Sequence, residues 1–255
     1  MESDNQLLIG SIRMIWRNWI HPGPLLGLVL ILVFGIPRFI LVLNANLTAN
    51  YQYVAWIFII LALLPFVFLS KEGRIKIGLK WPVSLSGISM AFASGIILCI
   101  AFFILGFLIY GFTQYNWFTY ISFTYILPDG VLENQRFISF FIFALISMTF
   151  SPIGEELFYR GLVHECFANR YEANTASHID SLAFALTHLA HFGIVWTGMG
   201  WKFLIVPSIL WVTGIYLTGR LFYFCRKKTN SIWGAVLSHA GFNLAMTWII
   251  FYLIL

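Results

Sequence analysis

Charge is what this chain has least of. Asp, Glu, Lys and Arg make up 10% of its 255 residues, against 60% hydrophobic, whereas soluble domains carry about a quarter charged residues. That shortfall excludes an ordinary soluble domain and points to a polytopic membrane protein. Cysteine is scarce too: Cys99, Cys166 and Cys225 form no CxxC and no even-numbered framework, which argues against a disulfide scaffold and a thiolate metal site. The net charge of +5 does not indicate nucleic acid, because the cations lie between apolar runs, as the positive-inside rule predicts. No small-residue cleavage site accompanies the first apolar run, which is too long for a signal peptide. No repeat, low-complexity tract or linker divides the chain.

What remains is a series of apolar runs, each near the ~20 residues needed for a span. Seven are expected: Pro24–Leu43, Tyr51–Leu69, Ser84–Phe112, Arg136–Phe150 running on beyond its end, Ser181–Met199, Lys202–Phe222 and Ser231–Leu255. Before them, Gln6–Ile20 sets Leu8, Ile12, Ile15 and Trp19 on one helical face and Gln6, Gly10, Arg13 and Arg17 on the other, which predicts a helix lying in the interface. Gln114–Gln135 is aromatic but broken by Pro128-Asp129-Gly130, and reads as an interfacial or re-entrant piece. The expected fold is all-α: one integral membrane domain over residues 1–255, a bundle of about seven transmembrane helices plus the N-terminal interfacial helix. Basic residues alternate between loops, with Lys71, Arg74, Lys76 and Lys80 after span two, none in Asn44–Asn50, and Arg226, Lys227 and Lys228 after span six. This predicts a multi-pass protein with its N-terminus in the cytoplasm and its C-terminus outside.

Polar side chains inside the apolar runs collect in three places, and the first three spans offer almost none beyond Arg38. The first is "SPIGEELFYRGLVH", residues 151–164, at the predicted cytoplasmic end of span four. Glu156 and Arg160 are four apart with the acid first, the favourable order for a helical ion pair. Glu155 points about 100° away, so it is left without its own cation in a low-dielectric place, a setting that suits a group taking and returning a proton. Pro152 and Gly154 are expected to kink or loosen the helix. The second cluster is "SLAFALTHLAHFG", with Phe184 one turn before His188, and His191 three residues further on nearly the same face. The third is "SHAGFNLAM", with His239 and Asn243 four apart. Polar groups inside a bilayer are costly and face a wet cavity or one another. Three such clusters at one depth predict a site, whereas a transporter would spread polar groups along the full depth. His164 and His178 read as solvated loop residues, His21 as an interface residue, and His191 as a neighbour of His188.

Taken in order, Glu155-Glu156-x-x-x-Arg160, Phe184-x-x-x-His188 and His239-x-x-x-Asn243 resemble the CPBP family of intramembrane proteases, over roughly residues 136–250. That family includes type II CAAX prenyl endopeptidases and the bacterial Abi or bacteriocin-processing and immunity proteins. The resemblance implies an endopeptidase cutting near the cytoplasmic membrane face, with Glu155 and His188 activating a water. His239 and Asn243 would steady the oxyanion, and Glu156 and Arg160 would hold the helix end in place. It also implies a peptide or protein substrate, lipidated or otherwise membrane-associated, with the lipid bilayer as surroundings and no nucleic acid. In a bacterium the membrane would be the cell membrane. Glu155, His188 and His239 could supply three ligands to Zn²⁺, but there is no HExxH and Asn243 is a poor zinc ligand, so a metal-free site with no cofactor is favoured. The competing reading is a non-proteolytic immunity or scaffold protein of the same fold.

Overall fold

The computed structural model describes residues 10–125 and 132–255, so Gln6–Ile9 and Pro128-Asp129-Gly130 lie outside the described residues. The chain forms α1 (Pro24–Thr48), α2 (Gln52–Phe68), α3 (Lys71–Lys76), α4 (Leu85–Tyr110), α5 (Trp117–Ser122) and α6 (Glu133–Glu155). A π-helical stretch, Glu156–Val163, carries α6 without a break into α7 (His164–Ala168). Then follow α8 (Ala173–Thr187), a hairpin of β1 (Ile194–Trp196) and β2 (Trp201–Phe203), α9 (Ile205–Thr229) and α10 (Ile232–Ile249). Local chemistry fixes the helix ends. Pro24 opens α1 at a position that needs no N–H donor. Ser84 and Ser231 cap α4 and α10 through their side chains. Asn230 closes α9 in the left-handed region.

Among the described residues, five helices are long and apolar enough to cross a membrane: α1, α4, the continuous Gln135–Ala168, α9 and Ile232–Ile254. Gln52–Phe68 is apolar but shorter. The count of about seven spans is therefore not reproduced by length and composition. The outward faces are greasy: Leu25, Val33, Leu108, Phe141 and Ile209 are all exposed. Contact between helices runs instead through small residues. A Cβ at Gly95 would strike the Ser238 carbonyl and one at Gly241 the Phe92 carbonyl, so α4 and α10 meet backbone to backbone. This inversion, apolar outside and close-packed inside, is what lipid selects. The chain is an integral membrane protein.

Two expected elements are corrected. Ser181–Met199 is not one helix, because α8 ends at Thr187, a tight turn spans His188–Ala190, and the hairpin follows. Gly193 at φ +117° and Gly198 at φ +84° take conformations open mainly to glycine. Asn46 Nδ2 ties the Ala190 carbonyl to α1 at 2.7 Å, so the freed backbone is satisfied across the bundle. The N-terminal segment is also not a helix from Ser11 on. Ile12 pairs with Leu69 as an isolated bridge, Arg13 N donates to the Phe68 carbonyl at 3.0 Å, and only Met14–Trp16 makes a single turn. Arg13 thus finds its backbone partner at the end of α2, while Trp16, Arg17, Trp19 and Ile20 bond within the segment in short turns. In the predicted interfacial or re-entrant piece, α5 is buried throughout.

Two ends of the bundle can be told apart by their contacts. At one, Lys76 lies near Glu165, Arg226 bonds Glu165, and Ser231 reaches the Lys80 carbonyl, so the basic loops gather there. At the other, Tyr51 bonds Asn46 and the Trp196 N–H donates to the Tyr120 hydroxyl.

Candidate active site

Glu156 begins the π-helical stretch, all of whose residues are buried; such turns recur at functional sites. Its Oε1 accepts from Arg160 Nη1 at 3.2 Å and from His239 Nδ1 at 2.9 Å. Arg160 Nε lies 3.6 Å from Asp180 Oδ1, and Asp180 Oδ2 accepts from His164 Nδ1 at 2.8 Å. The guanidinium is sandwiched by aromatic rings, 4.3 Å from the centre of Phe184 and 5.5 Å from that of Phe222, contacts that favour a desolvated cation. Glu156, Arg160 and Asp180 have no exposed surface. This is a closed chain of charges joining the Gln135–Ala168 helix to α8 and α10.

Glu155 has a different set of neighbours. Its Oε1 forms an ion pair with Arg38 of α1. Its Oε2 accepts from Ser151 at 2.8 Å and lies 3.8 Å from His239 Nε2. The expectation that Glu155 lacks its own cation is therefore corrected: Arg38 supplies it from the first span. Arg38 Nη1 also donates to the Thr187 carbonyl and Nη2 lies 3.4 Å from His188 Nε2.

His188 lies where α8 breaks, and its ring is 4.3 Å from that of Phe184. Its Nδ1 is 2.7 Å from the Phe184 carbonyl. A carbonyl only accepts, so Nδ1 carries the proton and the Nε2 lone pair turns toward Arg38. By the same logic His239 Nδ1 donates to Glu156, leaving Nε2 facing Glu155. His239 stacks on Phe222 at 4.7 Å. Asn243 Nδ2 donates to the Ser147 carbonyl at 2.8 Å, which leaves its second N–H uncommitted.

A cavity of about 600 Å³ is lined by Arg38, His188, His191, His239, Asn243 and Ser151, with Phe58, Phe143, Phe150 and Met246 among its apolar walls. Glu155 is not on its surface but behind Arg38, Ser151 and His239. Tyr51, Gln52, Thr124 and Tyr125 line it as well, so it extends toward the end of the bundle away from the basic loops. Gln52, Ile146 and Phe150 are its exposed lining residues. Arg38 sits about 20 Å along α1 at ~1.5 Å per residue, near the middle of that helix. The donor set does not suit a metal: among the described residues no group of three His, Cys, Asp or Glu could hold an ion, and a guanidinium stands between Glu155 and His188.

Residues 137–245 match the family model described as Type II CAAX prenyl endopeptidase Rce1-like. The match covers less than half of the chain, and over that segment the chain is similar to the CAAX prenyl endopeptidases. It runs from α6 into α10 and so contains Glu155, Glu156, Arg160, His188, His239 and Asn243, but not Arg38. The family so described is one of proteases, and the matched segment lies on helices long and apolar enough to cross a membrane. No curated protein and no solved structure matches the chain.

Of the residues singled out from the sequence, the CAAX-protease segment brings Glu155, His188 and His239 together through shared contacts. Asn243 and His191 meet them at the cavity, and Phe184 lies under Arg160 and beside His188. His164 is corrected from solvated loop residue to buried partner of Asp180, whereas His178 is exposed and bonds the Tyr216 hydroxyl at 2.5 Å. Gly154 does not loosen α6: the helix continues through Pro152, and a Cβ on Gly154 would strike the Phe58 carbonyl. Arg38 is the functional neighbour that motif reasoning missed. The signal for it was plain, since it is the one charge inside the first apolar run, where charges are rare and functional.

Proposed function

We propose that this protein hydrolyses a peptide bond within the membrane, with residues 136–250 as the chemical core and no metal in the mechanism. A water in the cavity beside His188 loses a proton to the Glu155 carboxylate once Arg38 Nη2 yields its place between the two, and its oxygen attacks the peptide carbonyl carbon. The oxyanion that forms accepts from the free N–H of Asn243 and is steadied by His239; such a donor is worth about 2.7–4 kcal/mol. The C–N bond breaks as the proton passes from Glu155 to the leaving nitrogen. The observation that carries this reading is that His188, His239 and Asn243 line one cavity while Glu155 contacts its wall residues from behind. The apolar walls suit a membrane-associated or lipidated chain.

With the basic end cytoplasmic, the N-terminus lies in the cytoplasm. Cleavage near the cytoplasmic face stays part of the proposal, and the cavity lining at Tyr51, Gln52, Thr124 and Tyr125 offers a route for substrate from the opposite side. Cysteine-accessibility labelling tests this: positions 44–50 should label from outside and 71–80 only after permeabilisation, and the reverse pattern would overturn it.

The scaffold or immunity reading keeps one observation of its own, since Glu155 and Arg38 neutralise each other at 0% and 1% exposure, as a purely structural pair would. The deciding experiment supplies purified protein in lipid nanodiscs with a quenched-fluorescent peptide ending in a prenylated CAAX sequence, and with the same peptide unprenylated. Cleavage of either, lost in His188→Ala, supports the peptidase. Cleavage of neither, or cleavage unaffected by His188→Ala, contradicts it.

A further inference from the structure

Arg38 belongs to none of the motifs and lies outside the matched segment, yet it touches both groups to which the chemistry is assigned. Its guanidinium pairs with Glu155, approaches His188 Nε2 and bonds the Thr187 carbonyl. It is 1% exposed, and its Nε has no hydrogen-bond partner. Burying an arginine with one N–H unsatisfied is costly to the fold. A leucine, like several of its neighbours in α1, would avoid that cost but would leave Glu155 buried without a cation. As the cation of Glu155 the residue has a structural role, and its second contact, with His188 Nε2, is the one that such a role does not require.

We infer that Arg38 is a positioning residue for the proteolytic reaction, fixing the Glu155 carboxylate and the His188 lone pair relative to each other. The planar guanidinium does this because it has donors in two directions at a fixed angle. Nη2 meets both groups, Oε1 of Glu155 and His188 Nε2, while Nη1 is fixed on the Thr187 carbonyl. Oε2 of Glu155 is left turned toward Ser151 and His239, and the opposite nitrogen of His188 is anchored to the Phe184 carbonyl, so the ring is held from both sides. Asn46 strengthens the same seam by tying α1 to Ala190, just past the His188 turn. The first span thus supplies the element that aligns a base from α6 with a histidine from α8.

This inference rests on the proteolytic reading, and its test separates the two. In nanodiscs with the prenylated peptide, Arg38→Lys keeps the positive charge but loses the fork, and should lower kcat about tenfold with KM nearly unchanged. Arg38→Ala should lower kcat by about 10²-fold, and methylguanidinium added to the folded variant should restore part of it, which a purely structural defect would not allow. Wild-type kcat in Arg38→Lys overturns the inference while leaving the peptidase standing. If the wild type cleaves neither peptide, nitrogen-15 spectra of histidine-labelled protein still decide the positioning claim. The His188 Nε2 resonance should move in Arg38→Lys, and an unmoved resonance overturns the inference.

Discussion

Glu155 and Glu156 are adjacent in the chain, share zero exposure and each hold an arginine, but their pairs are built from different distances in sequence. Glu156 takes its cation from the next turn of its own helix and passes the charge on to His239, Asp180 and His164. The whole chain is sealed by Phe184 and Phe222. Glu155 takes its cation from the first span, and that cation borders the cavity beside His188. The Glu156–Arg160 pair itself has no exposed surface and reaches the cavity only through His239 and the two rings, so on the proposed reading it holds helices together. The pair beside the cavity can contribute to chemistry, because something other than protein can reach its neighbours. On the proposed reading, two identical side chains one residue apart acquire separate roles from what surrounds their partners.

The contrast can be broken most severely at Arg160. Arg160→Ala leaves Glu156 and Asp180 buried without a cation, and breaking a buried pair costs about 3–5 kcal/mol. A steep fall in thermal midpoint and in membrane expression is expected, and unchanged stability would remove the structural role. Asn243→Ala should act the other way, leaving the midpoint within a few degrees while kcat falls by about 10²–10³-fold, the usual loss for one oxyanion donor. Equal KM and kcat with the prenylated peptide would take Asn243 out of the site. Asp180→Asn keeps the volume and weakens the far end of the sealed chain, so it should cost about 1–3 kcal/mol, read by thermal unfolding, with kcat unaffected. His178→Ala is the smallest: its ring is exposed, and both stability and activity should stay within about 0.5 kcal/mol of wild type.

The same contrast explains what could be read in advance. The Glu156–Arg160 pair was legible because helical periodicity places i and i+4 together. His188, His239 and Asn243 were legible because a polar side chain in an apolar run must face something polar. Arg38 was visible as an isolated charge, but nothing local says which acid it meets across the bundle. The break in α8 was hidden for a related reason. Ser181–Met199 is apolar enough to read as a span, and its end at Thr187 is stabilised by Asn46 and Trp211, whose Nε1 donates to the His188 carbonyl at 2.8 Å. Those donors come from other helices. The N-terminal segment differs on the same ground, since its period is helical but Ile12 and Arg13 pair with Leu69 and Phe68 after and at the end of α2.

The central claim is that Glu155 does chemistry while its neighbour holds the fold. The most direct measurement is the turnover of Glu155→Gln on the prenylated peptide, made on protein whose thermal midpoint is recorded alongside. Glutamine keeps the volume and an oxygen for Arg38 but cannot take a proton, so kcat should fall by about 10²–10⁴-fold in a variant that still purifies folded. Wild-type turnover by folded Glu155→Gln would contradict the account.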